Sequence, residues 1–147
     1  MFKSYLLIAA LSLPLLACAP DLSAQELKLV DACTAAAEAA IGSKIDKRHT
    51  LKSYQSSIIT LGVGAPNDSH SSNTWVISLR AKTTSRKNSR NEITCNFLHD
   101  DDHFEFLSYS IKAKGYADLS MEATSWQGKH IPVKGKAYFA AQKVLSR

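Results

Sequence analysis

The sequence contains none of the short motifs that would name a reaction. It has no G-x-S-x-G elbow, so nothing recommends a Ser-His-Asp hydrolase despite many serines. Gly62-Val63-Gly64 is followed by Pro66 and polar residues where a phosphate cradle requires a helix N-terminus. There are only three cysteines, and Cys33 and Cys95 are too far apart for a C-x-x-C redox pair. Internal repeats and low-complexity tracts are absent. The longest apolar run, residues 5–17 (YLLIAALSLPLLA), falls short of the roughly 20 residues a membrane-spanning helix needs.

That run has another use. Lys3 supplies a positive start, and the apolar stretch fits the core of a secretory signal. Leu15-Leu16-Ala17-Cys18 resembles a bacterial lipobox, which sets residues 1–18 as a signal cleaved before Cys18, with Cys18 lipidated. The alternative is plain secretion, with a cut after the small-x-small sequence Ala17-Cys18-Ala19; Pro20 beyond that cut disfavours it. Ala19 is not the aspartate that retains lipoproteins at the inner membrane, so the expected address is the periplasmic side of the outer membrane. The full chain carries a formal charge of +5; no acidic residue precedes Asp21, so loss of Lys3 with the signal leaves +5 − 1 = +4. Outside the cytoplasm, the counter-charges for such a protein are anionic lipid, lipopolysaccharide or an acidic protein surface.

Cysteine parity agrees with export. Committing Cys18 to lipid leaves Cys33 and Cys95 as an even pair, expected to form one disulfide in an oxidising compartment. Residues 19–22 read as a tether and residues 23–147 as a single domain, long enough for one core and too short for two.

Ser23-Ala24-Gln25-Glu26 matches a capping box. The alanine-rich segment that follows is a strong helix former up to Gly42, and Leu27, Val30, Cys33, Ala37 and Ile41 recur on one face. Residues 43–52 are polar and basic and read as a loop. Four strands are predicted over residues 54–63, 74–82, 91–98 and 104–113, with residues 67–73 and 83–90 as connections and 99–103 as a turn. Short connections predict an antiparallel meander. With His99 facing His103 across a three-residue turn, Cys95 falls opposite Leu107 and Ile93 opposite Tyr109. Ile93, Cys95, Phe97, Leu107, Tyr109 and Ile111 then share the face that receives the helix, and Phe104 and Phe106 take the other. Residues 116–126 suit either a strand or a short helix, and residues 136–145 a C-terminal helix. The expected fold is α+β: an N-terminal helix packed on a four-stranded antiparallel meander sheet, with a C-terminal helix.

Two clusters carry candidate chemistry. Imidazole and carboxylate groups at His99, Asp102 and His103, with His70 on a loop expected at the same end, are suitable ligands for a divalent transition metal. Acidic residues are also ordinary turn formers, and the spacing matches no established ligand motif. Arg80, Lys82, Arg86, Lys87 and Arg90 form a basic hairpin at the opposite end, suited to anionic lipid or an acidic protein. It lacks the interleaved aromatics of a nucleic-acid surface. No cofactor is predicted. The leading expectation is a non-enzymatic envelope module that recognises a protein or envelope component. The alternatives are a metal-binding periplasmic protein and a small-ligand carrier with a pocket near Trp75, Tyr109 and Trp126.

Overall fold

The computed structural model describes residues 21–61, 69–84, 90–100, 103–113, 117–126 and 129–147. Helix α1 (Ala24–Ile41) begins where the capping box places it: Glu26 N–H donates to Ser23 Oγ at 3.2 Å, and Glu26 Oε2 accepts from Ser23 N–H at 2.9 Å. It ends at Gly42, whose φ of 73° is the left-handed cap that glycine adopts without a Cβ penalty. Its buried face is Leu29, Val30, Ala32, Cys33, Ala36 and Ala37. Leu27, expected on that face, is 49% exposed.

The chain then builds strands β1 (Ile45–Leu61), β2 (Ser69–Thr83), β3 (Arg90–Asp100), β4 (His103–Ala113) and the short β5 (Leu119–Met121). These form one five-stranded sheet in the order β1-β2-β3-β4-β5, every neighbouring pair antiparallel. The meander holds, with a fifth strand that the sequence left undecided. A separate two-stranded ribbon, β6 (Thr124–Trp126) with β7 (Lys129–Ile131), precedes helix α2 (Lys136–Leu145). The protein is an α+β fold with two helices and an antiparallel sheet.

Three local expectations are corrected. Residues 45–52 are strand rather than loop, and β2 starts at Ser69, so residues 69–73 and His70 with them belong to the sheet. The hairpin between β3 and β4 is tighter than expected: Asp100 pairs with His103, and His99 with Phe104. Between Asn96 and Phe97 the register shifts, with Asn96 opposite Ser108 but Phe97 opposite Phe106, leaving Leu107 as the extra residue of a bulge. Below the bulge Cys95 faces Tyr109 and Ile93 faces Ile111. Because strand side chains alternate, the shorter turn reverses the face of Phe104 and Phe106. Phe106 is fully buried and meets Phe97 edge-on, with ring centroids 5.6 Å apart.

The core lies between α1 and the inner face of the sheet, where Ile77, Leu79, Ile93, Cys95, Phe97, Phe106 and Ile111 meet the helix, with Ala137, Tyr138 and Ala141 of α2 closing one side. Cys33 and Cys95 form a disulfide at its centre, Cα to Cα 5.7 Å, across a sequence separation of 62. That bond fixes α1 over β3 and thereby decides which sheet face is covered and which is open.

Candidate functional surface

The open face is set by register. One row across the strands brings together Lys47, Lys82 and Arg90; the next holds His49, Arg80, Glu92 and Lys112; a third holds Lys52, Ser78, Thr94, Ser110 and Ser120. Three of these basic positions, Arg80, Lys82 and Arg90, belong to the hairpin predicted as basic. Lys47, His49 and Lys52 were missed because residues 43–52 lack hydrophobic alternation, and alternation is the signal that marks a strand. Arg86 and Lys87 lie outside the described residues. Across these rows six lysines and arginines face one carboxylate, Glu92, whose Oε1 is 3.5 Å from Arg80 Nη2. Lys47, His49, Arg80, Lys82 and Lys112 are exposed. A shallow recess of about 320 Å³ opens among Lys47, Arg48, His49, Arg80, Ala81 and Lys82.

Further along the same face the polar side chains satisfy one another. Ser78 Oγ and Thr94 Oγ1 are 3.3 Å apart, Asn96 Nδ2 donates to Ser108 Oγ at 2.8 Å, and Thr74 Oγ1 donates to the Ser56 carbonyl at 2.9 Å. Lateral pairing of this kind leaves the middle of the face with little to offer a ligand. The cations at the Thr83 end are different, because their like charges repel and, within these rows, Glu92 is the carboxylate that offsets them.

Contacts between α1 and β1 hold the cationic edge in place. The inner side of β1 is polar at Thr50, Ser53 and Gln55, so the helix reaches it by hydrogen bonds rather than packing. Ser53 Oγ donates to Glu26 Oε1 at 2.7 Å, and Arg48 joins α1 through Asp31 and through Thr34 Oγ1 at 2.8 Å. At the far end Lys44 Nζ donates to Glu38 Oε2 at 2.7 Å and Ile45 N–H to Glu38 Oε1 at 2.9 Å. The bond from Ser53, then those from Ser23, hold the Glu26 carboxyl below its ordinary value. Burial pushes Glu38 up, but the bonds from Ile45 and Lys44 and the nearby charges of Lys44 and Arg48 outweigh it, and the net direction is down.

Of the histidine cluster, the His99 and His103 side chains fall within the described residues. His99 lies flat on Phe104, ring centroids 4.4 Å apart and nearly parallel, while His103 pairs with Asp100 one position on. His70 sits on β2 opposite Thr60; its side chain, and all of Asp102, lie outside the described residues. Among the described residues no three His, Cys, Asp or Glu side chains come together in a way that would hold a metal ion. Trp75 and Tyr109 are half-buried at the rim of the core, and the buried Trp75 indole N–H has no hydrogen-bond partner among the described residues. The Trp126 side chain and Cys18 lie outside the described residues. No helix among those described is long and apolar enough to cross a membrane. Comparison with protein-family models, curated proteins and solved structures returns no match.

Proposed function

We propose that the protein is an exported, non-enzymatic envelope module that recognises an acidic protein partner through the cationic end of its open sheet face. One observation carries this reading: the strand register gathers Lys47, Arg80, Lys82, Arg90 and Lys112 at one end of the open face, in rows that hold a single carboxylate, Glu92. A rigid sheet presents these charges at fixed spacing, which favours selection of a complementary surface over diffuse attraction. The address rests on the apolar leader and the lipobox-like sequence at Cys18, and the disulfide suits an oxidising compartment. In this arrangement Arg80, Lys82 and Arg90, with Arg86 and Lys87 between them in sequence, form the centre of the contact.

The test is capture from solubilised envelopes by the mature protein, compared with a Lys47→Glu/Arg80→Glu/Lys82→Glu triple variant. A second variant reversing Lys134 and Lys136 serves as the charge control. An acidic protein retained by the wild type and by the control is expected to bind the triple variant at least about tenfold more weakly, equivalent to about 1.4 kcal/mol. Retention is also expected to fall as ionic strength rises, because exposed charges are screened beyond roughly 10 Å at 0.1 M salt. Equal capture by wild type and triple variant would sink the reading.

A further inference from the structure

The two ends of α1 lie at different places along the sheet. Its N-terminus is fixed to the middle of β1 by the bond between Ser53 and Glu26, and its C-terminus to the start of β1 and the end of β2, where the Thr84 N–H donates to the Lys44 carbonyl. At about 1.5 Å per residue, the 18 residues of α1 separate these ends by about 27 Å. The cationic rows lie at the C-terminal end. Around the N-terminal end three large apolar side chains stand exposed among polar ones: Leu27 is 49% exposed, Leu51 38% and Tyr54 48%. Leu51 is the extra residue where the β1 register breaks between Thr50 and Lys52. A groove of about 340 Å³ along this edge is lined by Asp21, Leu22, Glu26 and residues 50–54. Leu27 lies one helical turn before Asp31, which reaches across to Arg48 of β1, so its stripe of the helix borders the same strand.

We infer that the edge of the molecule at the start of α1 and the middle of β1, with the exposed Leu27, Leu51 and Tyr54 inward and Lys28 and Lys52 flanking, is seated on an anionic phospholipid bilayer. The inference rests on the reading of Cys18 as the acylated residue. Only three peptide steps separate Cys18 from Asp21, at most about 11 Å of extended chain. A headgroup layer is itself about 5–7 Å thick on each side of the hydrocarbon. An acyl chain in the membrane therefore holds the start of α1 at the headgroups, whatever else the domain does. Exposed leucine and tyrosine there meet the interface where such side chains are stable, and Lys28 and Lys52 meet anionic phosphates. The row of Lys47, Lys82 and Arg90 then stands about 13 Å along β1 from Leu51, beyond the roughly 8 Å reach of the membrane's own field at physiological salt. It faces outward, free for a protein partner.

Hydrogen exchange resolved by peptide mass spectrometry tests the seating. The acylated mature chain in vesicles of phosphatidylethanolamine and phosphatidylglycerol is compared with the Cys18→Ser chain mixed with the same vesicles. Exchange over residues 22–28 and 50–54 is expected to slow severalfold in the acylated chain, with residues 80–83 and 91–94 unchanged. The paired change Leu27→Ser and Leu51→Ser, at exposed positions that leave the core intact, is expected to return those rates to the Cys18→Ser values. An intact mass that shows acylation with no protection at these segments overturns the seating and leaves the anchor standing. An intact mass without acyl chains overturns the anchor and the seating together. Protection that falls on residues 47–49 and 80–82 instead assigns the bilayer to the cationic face and overturns the seating and the outward-facing geometry.

Discussion

Two glutamates on α1 each perform a task at both levels of the structure. Glu26 completes the capping box and also accepts from Ser53 on β1, so one side chain ends the helix and joins it to the sheet. Glu38 takes the backbone N–H of Ile45 and the Lys44 ammonium at the other end. Both carboxyls titrate below their ordinary value of 4.5. A carboxylate favoured in its ionised form adds stability above its unfolded-state value and loses it as pH falls through the lower folded-state value. Stability is therefore expected to be level above about pH 5 and to decline below 4.5, with the Glu26→Gln and Glu38→Gln pair showing a shallower decline. Urea unfolding across that range measures it, and an unchanged slope in the double variant would refute the assignment. Ser23→Ala removes the cap and should cost about 1 kcal/mol at neutral pH.

Among the elements, the bounds of α1 were legible because it carries every local signal at once: cap, alanine-rich propensity and a glycine stop, although Leu27 falls off the buried face expected for it. Strands β2, β3 and β4 were legible from alternation, although each extends beyond its predicted bounds. Strand β1 was half hidden. Its inner positions, Arg48, Ser53 and Gln55, meet α1 through polar groups or lie beyond its edge, so the hydrophobic pattern that marks a strand is missing. Its lysines and its two register breaks are what an open sheet edge carries to discourage pairing with another chain. Lys47, His49 and Lys52 of the basic surface were hidden with it. The register of β3 and β4 was misread for another reason, because His99-Asp-Asp-Asp-His103 looks symmetric and nothing local shows where the turn closes. Stacking of His99 on Phe104 and burial of Phe106 against Phe97 decide it. The consequence is measurable: Phe106→Ala should cost about 3–5 kcal/mol, as a core aromatic does, and Phe104→Ala distinctly less. Equal, small losses at both would argue for the register with Phe106 on the open face.

For the whole molecule, the disulfide determines how the two surfaces relate. It ties the middle of α1 to the middle of β3, so the helix covers one face and leaves the other, with its cationic rows, open. The cationic rows repel one another, and the polar inner side of β1 contributes little apolar burial, so part of the fold needs support from elsewhere. Closing a loop between Cys33 and Cys95 is worth about 4 kcal/mol in the chain-entropy account. Against the roughly 5–15 kcal/mol that domains of this size possess, that is a large share. The Cys33→Ala/Cys95→Ala variant is therefore expected to unfold at much lower urea, with an unfolding free energy reduced by about 4 kcal/mol. If the cationic rows bind an acidic partner as proposed, its capture is expected to remain where the variant still folds, since those rows are set by strand register and not by the bond. Two alkylatable thiols in the unreduced mature protein would remove the argument, because nothing covalent would then fix α1 over β3.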